Sequence, residues 1–527
     1  MFLKLPPASF GTTLLPLLVG VFLFGCASTW KKDRETIIDP IHGMLHHEYP
    51  EALEDGDRAR TSALFVSSNS DEASAATLEL LEHFSRIENA MLVIERVNLE
   101  ELPVRAEVWI QVEGEDRSGA RQTVTQAKKL VLVQEDGSWK IQTDESAPLE
   151  VIPVPRARFA DETQMRGLWF KHEPRSIIDP QGEPQMYIYG SGVAVVDLDK
   201  DGWDDLLLLS GDRIEVFQNH EGFFEPVSED WGVGHPMEGI LTVVVPFDLE
   251  NDGDKDLLVG RELAQPVLLR NEGGRFVVVE NSGIRTAGRT ISASAADFDG
   301  DGHVDLFLAN HNDVFWEAPD PPGSAENAEA DQLFLNNGDG TFRDATRRAR
   351  VGNRGWSLAP VAADYDLDGD IDLFVGNDFG VDRLYRNDGT ARFEEVSSKV
   401  GVDKPVASMS ADWGDFDGDG DFDLFVGGMN SGSAWVLEAP SFRIKRVPLL
   451  LDLAFRPYVR AAVREWFRGN RFYENLGDGT FREVAHDTGT QNSGWAWGTV
   501  WLDFDNDGEL DLYGSNGMVS GADEDDL

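Results

Sequence analysis

Six times between residues 197 and 511 the chain carries one nine-residue pattern: aspartate first, fifth and ninth, an acidic residue third, glycine sixth. The segments are DLDKDGWDD (197–205), DLENDGDKD (248–256), DFDGDGHVD (297–305), DYDLDGDID (364–372), DFDGDGDFD (415–423) and DFDNDGELD (503–511). Recurrence at this spacing constrains the fold more than any composition figure. A short repeat cannot bury its apolar face alone and must stack on its neighbours. Around each segment lies the same frame. An apolar strand precedes it, and a second strand follows (DLLLLSG, DLLVG, DLFLAN, DLFVGN, DLFVGG, DLYGSN). A third strand then ends in asparagine within IEVFQN, PVLLRN, QLFLNN, RLYRND and RFYENL. A glycine turn and phenylalanine close the unit at Gly222-Phe223, Gly274 to Phe276, Gly340 to Phe342, Gly389 to Phe393 and Gly479 to Phe481. Units of about 50 residues made of short strands are propeller blades. Two longer steps place insertions at 311–330 and 431–468.

Alternate residues of a tight turn can point inward together, so carboxylates one, three, five and nine can converge on one hard cation, with a backbone carbonyl from the variable seventh position. Glycine at position six permits the bend. The ligand set is Asp197, Asp199, Asp201 and Asp205; Asp248, Glu250, Asp252 and Asp256; Asp297, Asp299, Asp301 and Asp305; Asp364, Asp366, Asp368 and Asp372; Asp415, Asp417, Asp419 and Asp423; Asp503, Asp505, Asp507 and Asp511. Oxygen-only donors select Ca2+. Glu250, one methylene longer than aspartate, marks the odd loop. An EF-hand begins the same way but needs a ligating glutamate at position twelve and flanking helices. Here position twelve is Leu208, Val259, Leu308, Val375, Val426 or Gly514.

These loops with their adjoining Phe and Gly turns resemble the FG-GAP/VCBS repeats of integrin-type propellers. The runs FADET (159–163), GLWFKH (167–172), GVAVVD (192–197) and GWAWGTVWLDFDNDGELDLYGSNG (494–517) resemble the cartilage acidic protein and ASPIC/UnbV-type branch. The resemblance implies a mainly β chain over 158–527, a propeller of six to seven blades, in a largely extracellular class of binding or adhesion modules. Either six units close with help from the segment after Phe159, or the blades are a truncated set of seven.

The N-terminal side reads differently. Residues 1–25 form a signal segment whose apolar run, Leu14 to Phe24, is too short to span a bilayer. It ends in LFGCAS, which resembles a bacterial lipobox, with Phe24 the departure from that pattern. Cys26, the chain's single cysteine, excludes an internal disulfide and is the candidate lipidation site, with Ala27 after it suggesting the outer membrane. A polar tether follows over 26–45. Residues 46–148 form a small α+β cone-like domain. Helices are expected over 51–65 and 73–88 and strands over 91–97, 104–112, 123–133 and 139–143. Ala106, Val108, Ile110 and Val112 share one face. The run DGSWKI (136–141) resembles the last hairpin of SnoaL-like domains.

A formal net charge of −49 excludes nucleic acid as a partner and calls for bound cations. His42, His46 and His47 lie near Glu48 and Glu51 and could take a transition metal, although a polar tether explains them more simply. Within 436–471 a basic segment (Arg443, Lys445, Arg446, Arg456, Arg460, Arg464, Arg468 and Arg471) interrupts the acidic chain; it either meets a partner or membrane or pairs with the acidic loops. HExxH, G-x-S-x-G and P-loop patterns are absent. The sequence therefore points to a calcium-binding, lipid-anchored, periplasmic or cell-surface protein with a protein or glycan ligand and no enzymatic role. A subunit of a surface or export complex is a further reading. A glycan- or phosphoester-active enzyme using the propeller channel is the rival, and it would need paired carboxylates or clustered histidines there.

Overall fold

Each acidic segment closes the gap between two antiparallel strands. In the computed structural model the described residues are 40–41, 44–56, 58–66, 75–98, 103–152, 162–172, 176–178, 184–186, 192–312, 320, 324–429, 466, 468–491 and 493–516. The leader, Cys26, His42, the side chains of His46 and His47, and most of the 431–468 insertion lie outside them. The described chain divides into two units, 40–152 and 162–516.

In the first unit, helices α1 (Tyr49–Glu54), α2 (Arg58–Ala63) and α3 (Ala75–His83) precede a sheet of β1 (Phe84–Asn98), β2 (Val104–Asp116), β3 (Arg121–Glu135), β4 (Ser138–Ser146) and β5 (Glu150–Ile152). The strands run in order β1-β2-β3-β4, and β5 pairs with β3. Ala106, Val108, Ile110 and Val112 are buried, as their alternation requires. The helix expected over 51–65 is two helices, broken at Asp55-Gly56 where Gly56 takes φ 62°. The helix expected over 73–88 stops at His83. Leu80, Leu81, Phe84 and Ile87 have helical spacing, but pairing of Phe84 with Asp116 and Ile87 with Gly114 draws the second half into the sheet. A buried polar network joins these parts. Lys128 Nζ donates to Asp144 Oδ2 (2.9 Å) and Ser146 Oγ (2.7 Å), and Thr77 Oγ1, itself 2.6 Å from the Tyr49 hydroxyl, donates to Asp144 at 2.7 Å.

The second unit repeats a four-stranded antiparallel meander five times. Blade one holds β8 (Val193–Val196), β9 (Asp205–Ser210), β10 (Arg213–His220) and β11 (Phe223–Pro226). Blade two holds β12 (Ile240–Phe247), β13 (Asp256–Glu262), β14 (Val267–Asn271) and β15 (Phe276–Val278). Blade three holds β16 (Thr290–Ala296), β17 (Asp305–Asn310), β18 (Gln332–Asn336) and β19 (Phe342–Asp344). Blade four holds β20 (Ser357–Ala363), β21 (Asp372–Asn377), β22 (Arg383–Arg386) and β23 (Glu394–Glu395). Blade five holds β24 (Ser408–Gly414), β25 (Asp423–Gly428), β26 (Arg471–Asn475) and β27 (Phe481–Glu483). Among the described residues, a sixth sheet has two strands, β28 (Ala496–Leu502) and β29 (Asp511–Asn516), and the pair β6 (Ser176–Ile178) and β7 (Pro184–Met186) stands ahead of blade one. The first strands of all six sheets line one cavity of about 580 Å3, through Val193, Thr242, Ile291, Leu358, Met409 and Trp497. This is a propeller-like arrangement, and both insertions fall between a second and a third strand.

Apolar cores lie between neighbouring blades. Phe342 of blade three meets Phe247 of blade two (6.4 Å between ring centres), Phe393 meets Phe298 (5.8 Å), and Phe481 meets Tyr365 (5.6 Å). Blade one is shifted by one residue. Phe223 is exposed beneath the Arg166 guanidinium, and Phe224 takes the structural place, its N–H bonded to Arg166 O at 2.8 Å. Phe276 makes the same bond to Trp231 O at 2.9 Å. The turn at 162–168 thus stands to blade one as the turn at 228–234 stands to blade two.

Candidate metal-binding loops

Every loop uses its first aspartate to tie the turn. Both oxygens of Asp364 accept backbone N–H groups, from Asp368 at 3.0 Å and Gly369 at 2.9 Å. The pairs recur at Asp197, Asp248, Asp297, Asp415 and Asp503 within 2.8–3.2 Å. The fifth aspartate accepts the N–H of position seven, as Asp301 does from His303 at 3.0 Å. Glycine at position six has φ 86° to 97° throughout. Position four is left-handed as well, at Lys200, Asn251, Gly300, Leu367, Gly418 and Asn506, a requirement the sequence shows in the four copies with asparagine or glycine and hides in the two with lysine and leucine.

The ninth aspartate is the buried member. In blades one to five, Asp205, Asp256, Asp305, Asp372 and Asp423 are at most 1% exposed. One oxygen accepts the N–H of position two, and the other accepts the N–H of the asparagine ending the third strand, at 2.7–2.8 Å. The same asparagine reaches across to the neighbouring blade. Asn271 Nδ2 donates to Leu198 O (3.1 Å), Asn336 to Leu249 O (3.0 Å), Asn387 to Phe298 O (2.8 Å) and Asn475 to Tyr365 O (2.9 Å). The sequence displayed this asparagine as a repeat mark, but its role needed the neighbouring blade in place.

In five loops the carboxylate oxygens at positions one, three and nine lie within 4.8 Å of one another: Asp197, Asp199 and Asp205; Asp297, Asp299 and Asp305; Asp364, Asp366 and Asp372; Asp415, Asp417 and Asp423; Asp503, Asp505 and Asp511. Position five (Asp201, Asp301, Asp368, Asp419, Asp507) stands outside these triads, with one oxygen engaged by the turn. Loop 248–256 forms no such triad; Glu250 Oε1 lies 3.6 Å from Arg270 Nη1, whereas Asp299 keeps its triad although it is 3.0 Å from Arg343 Nη2.

The electrostatics fit a cation. Burial pushes the ninth carboxyls of blades one to five up, Asp305 and Asp423 to about 7 and Asp372 to about 8. Burial and then the neighbouring aspartate raise Asp299, Asp366 and Asp417. Asp299 Oδ1 and Asp366 Oδ1 are buried without a hydrogen-bond partner. Three crowded carboxylates with orphaned oxygens are suited to a metal ion, whose charge would reverse those shifts.

A second repeated device sits at the other end of the blades. Asp331 accepts the Asn310 N–H (2.8 Å) and the hydroxyl of Ser357 in the next blade (2.7 Å), and Asp382 does the same with Asn377 and Ser408, each at 2.8 Å. Burial raises both carboxyls, Asp331 to about 8 and Asp382 to about 7. Of the basic segment, Arg468 and Arg471 are described: Arg468 is half-buried, and Arg471 is buried, 3.9 Å from Glu483, and donates to Pro405 O.

A family model for the FG-GAP-like repeat matches residues 197–259, 248–308, 310–375, 364–426 and 458–514, together more than half of the chain. Cartilage acidic protein 1 of Homo sapiens is 30% identical over 194 residues, 35% of this chain and 24% of that protein. Its Mus musculus counterpart is 27% identical over 241 residues, 44% of this chain and 29% of that protein. The chain therefore matches about a quarter of the length of these relatives. Among solved structures, the V. cholerae biofilm matrix protein Bap1 aligns with a TM-score of 0.30 and 14% identity over 59% of this chain and 42% of that one. Among the described residues no helix is long and apolar enough to cross a membrane.

Proposed function

Because the chain belongs to the FG-GAP-like repeat family, we propose that it is a calcium-binding extracytoplasmic lipoprotein acting as a binding, adhesion or scaffold module. The observation that carries this reading is the set of five carboxylate triads, each closed by backbone N–H groups that hold the oxygens in place. Ca2+ takes six to eight oxygens in flexible geometry, which three carboxylates, the seventh carbonyl and water supply. Calcium here is structural: it fixes the turn between first and second strands and, through the asparagine clamp, the adjoining blade. The rim then presents a rigid surface to a protein or glycan. The N-terminal unit, taken as SnoaL-like, serves as a scaffold, and Cys26 holds the chain to a membrane. The channel offers the enzyme reading little support, since the described residues lining the cavity include His172 and no carboxylate.

Thermal unfolding with calcium and with a chelator tests the proposal. A midpoint that drops steeply on chelation is expected, and an unchanged midpoint rejects structural calcium. Fractionation of a Cys26→Ser variant tests the anchor, which requires the protein to leave the membrane fraction.

A further inference from the structure

After its fourth strand each blade makes a tight turn toward the next blade. In blades one, two and five these turns carry Glu229 and Asp230, Glu280, and Asp487. Blade four carries Lys399, paired with Glu394, and blade three departs further. Residues 343–354 read RDATRRARVGNR, five arginines against one aspartate in a chain of net charge −49. The short helix α4 (Thr346–Ala349) and the residues after it fix where these charges stand. Ala345, Ala349 and Val351 are buried in the core between blades three and four, so Arg347, Arg348 and Arg350 are turned to solvent. Arg350 ends the helix in the left-handed region, at φ 66°. The three arginines, with Asp344, Thr346 and Gly352, line one open recess of about 840 Å3.

Several arginines elsewhere on the blades are matched by acids: Arg270 with Glu272, Arg386 with Glu394 and Arg482 with Glu474. In the recess the Arg348 guanidinium donates to Thr390 O at 3.3 Å, and the side chains of Arg347 and Arg350 meet no carboxylate or hydrogen-bond acceptor among the described residues. Three arginines lining one recess concentrate positive charge there, which an anion would offset. The planar fork of arginine matches carboxylate and sulfate groups bidentately.

We propose that the Arg347–Arg348–Arg350 recess is a docking site for an anionic polysaccharide, recognised through its carboxylate or sulfate groups. The proposal rests on reading the chain as a binding module and supplies the class of its ligand. Apart from Gly352 the lining residues are all of polar or charged type, their aliphatic stems contributing to the surface, and none is an aromatic or aliphatic anchor of the kind on which protein interfaces depend. A chain of hydroxyls and anions needs no such anchor. The surrounding negative charge confines attraction to this hollow, so binding is strongly salt-dependent.

The test uses the full, calcium-loaded protein over surfaces of dextran sulfate, carboxymethyl-dextran, neutral dextran and polyglutamate, read by surface plasmon resonance across a salt series. Binding to one or both anionic dextrans, absent on neutral dextran and weakening with salt, is expected; which surface binds identifies the anion. Arg347→Glu with Arg348→Glu, and separately Arg350→Gly, which suits the left-handed backbone, should each lose at least about tenfold in affinity. Arg213→Glu, exposed on blade one, should lose nothing. Equal binding by variants and native protein overturns the proposal, as does equal binding to neutral dextran, binding to polyglutamate alone, or no binding to either anionic dextran. Each sample is also melted with and without chelator. A calcium-dependent midpoint alongside absent binding rejects the recess alone, whereas a calcium-independent midpoint rejects the calcium reading itself.

Discussion

Asn387 takes part in both the site and the frame. Its backbone N–H meets Asp372, and its side-chain amide donates to Ile371 O within the blade and Phe298 O in the blade before. Asn387→Ala leaves the half-buried Ile371 carbonyl without its side-chain donor and removes one of the two donors to the Phe298 carbonyl, which keeps the Ala391 N–H, a loss of about 1–3 kcal/mol. Urea unfolding should show that loss, and a change below about 0.5 kcal/mol would deny the clamp any role. Leu367 shows the opposite case. It holds φ 56° at the fourth loop position while 57% exposed, a conformation that suits asparagine or glycine. Leu367→Asn should therefore raise stability by about 0.5–1 kcal/mol in the same measurement.

At the scale of the loop, the triads divide the six copies into five and one. Loop 248–256, with the longer Glu250 at its third position, is the copy whose carboxylates do not gather. Calorimetric titration of Glu250→Asp should report one calcium site more than the native protein, or a tightened weak one, and Asp364→Asn should report one fewer. An unchanged stoichiometry in Asp364→Asn would remove that triad from the candidate sites. Much of this was readable beforehand. The fixed spacing of aspartates and the glycine at position six announce the turn, and the apolar run after each ninth residue announces the strand. What stayed hidden depended on partners far along the chain. Asp331 and Asp382 lie at unequal distances after their loops, so no period marks them, and their worth appears once Ser357 and Ser408 of the following blades arrive. Phe84 to Ile87 keeps a helical spacing that loses to strand pairing with β2, a choice made by tertiary contact.

For the whole molecule, acid should act in opposite directions with and without calcium. In the chelated protein Asp305, Asp372 and Asp423 have folded values of about 7, 8 and 7 against an ordinary 3.8. A carboxyl raised on folding contributes stability that is full below about pH 4 and lost as pH climbs toward about 8. The melting midpoint of the chelated protein should thus fall as pH rises through that window. Bound calcium favours the ionised carboxylates, so the loaded protein should instead weaken as pH falls, and the two curves should converge in acid. A chelated midpoint that rises with pH would show that burial does not govern these carboxyls.

The meander gives each blade two ends with different duties. Metal-suited loops join first to second strands, while both long insertions leave between second and third strands, at the opposite end. A lineage can therefore lengthen, shorten or replace those outer connections without rewriting a single metal ligand. The fold separates an unchanging mineral face from an editable one, the two insertions having entered where Asp331 and Asn470 still hold the ends of the strands they interrupt.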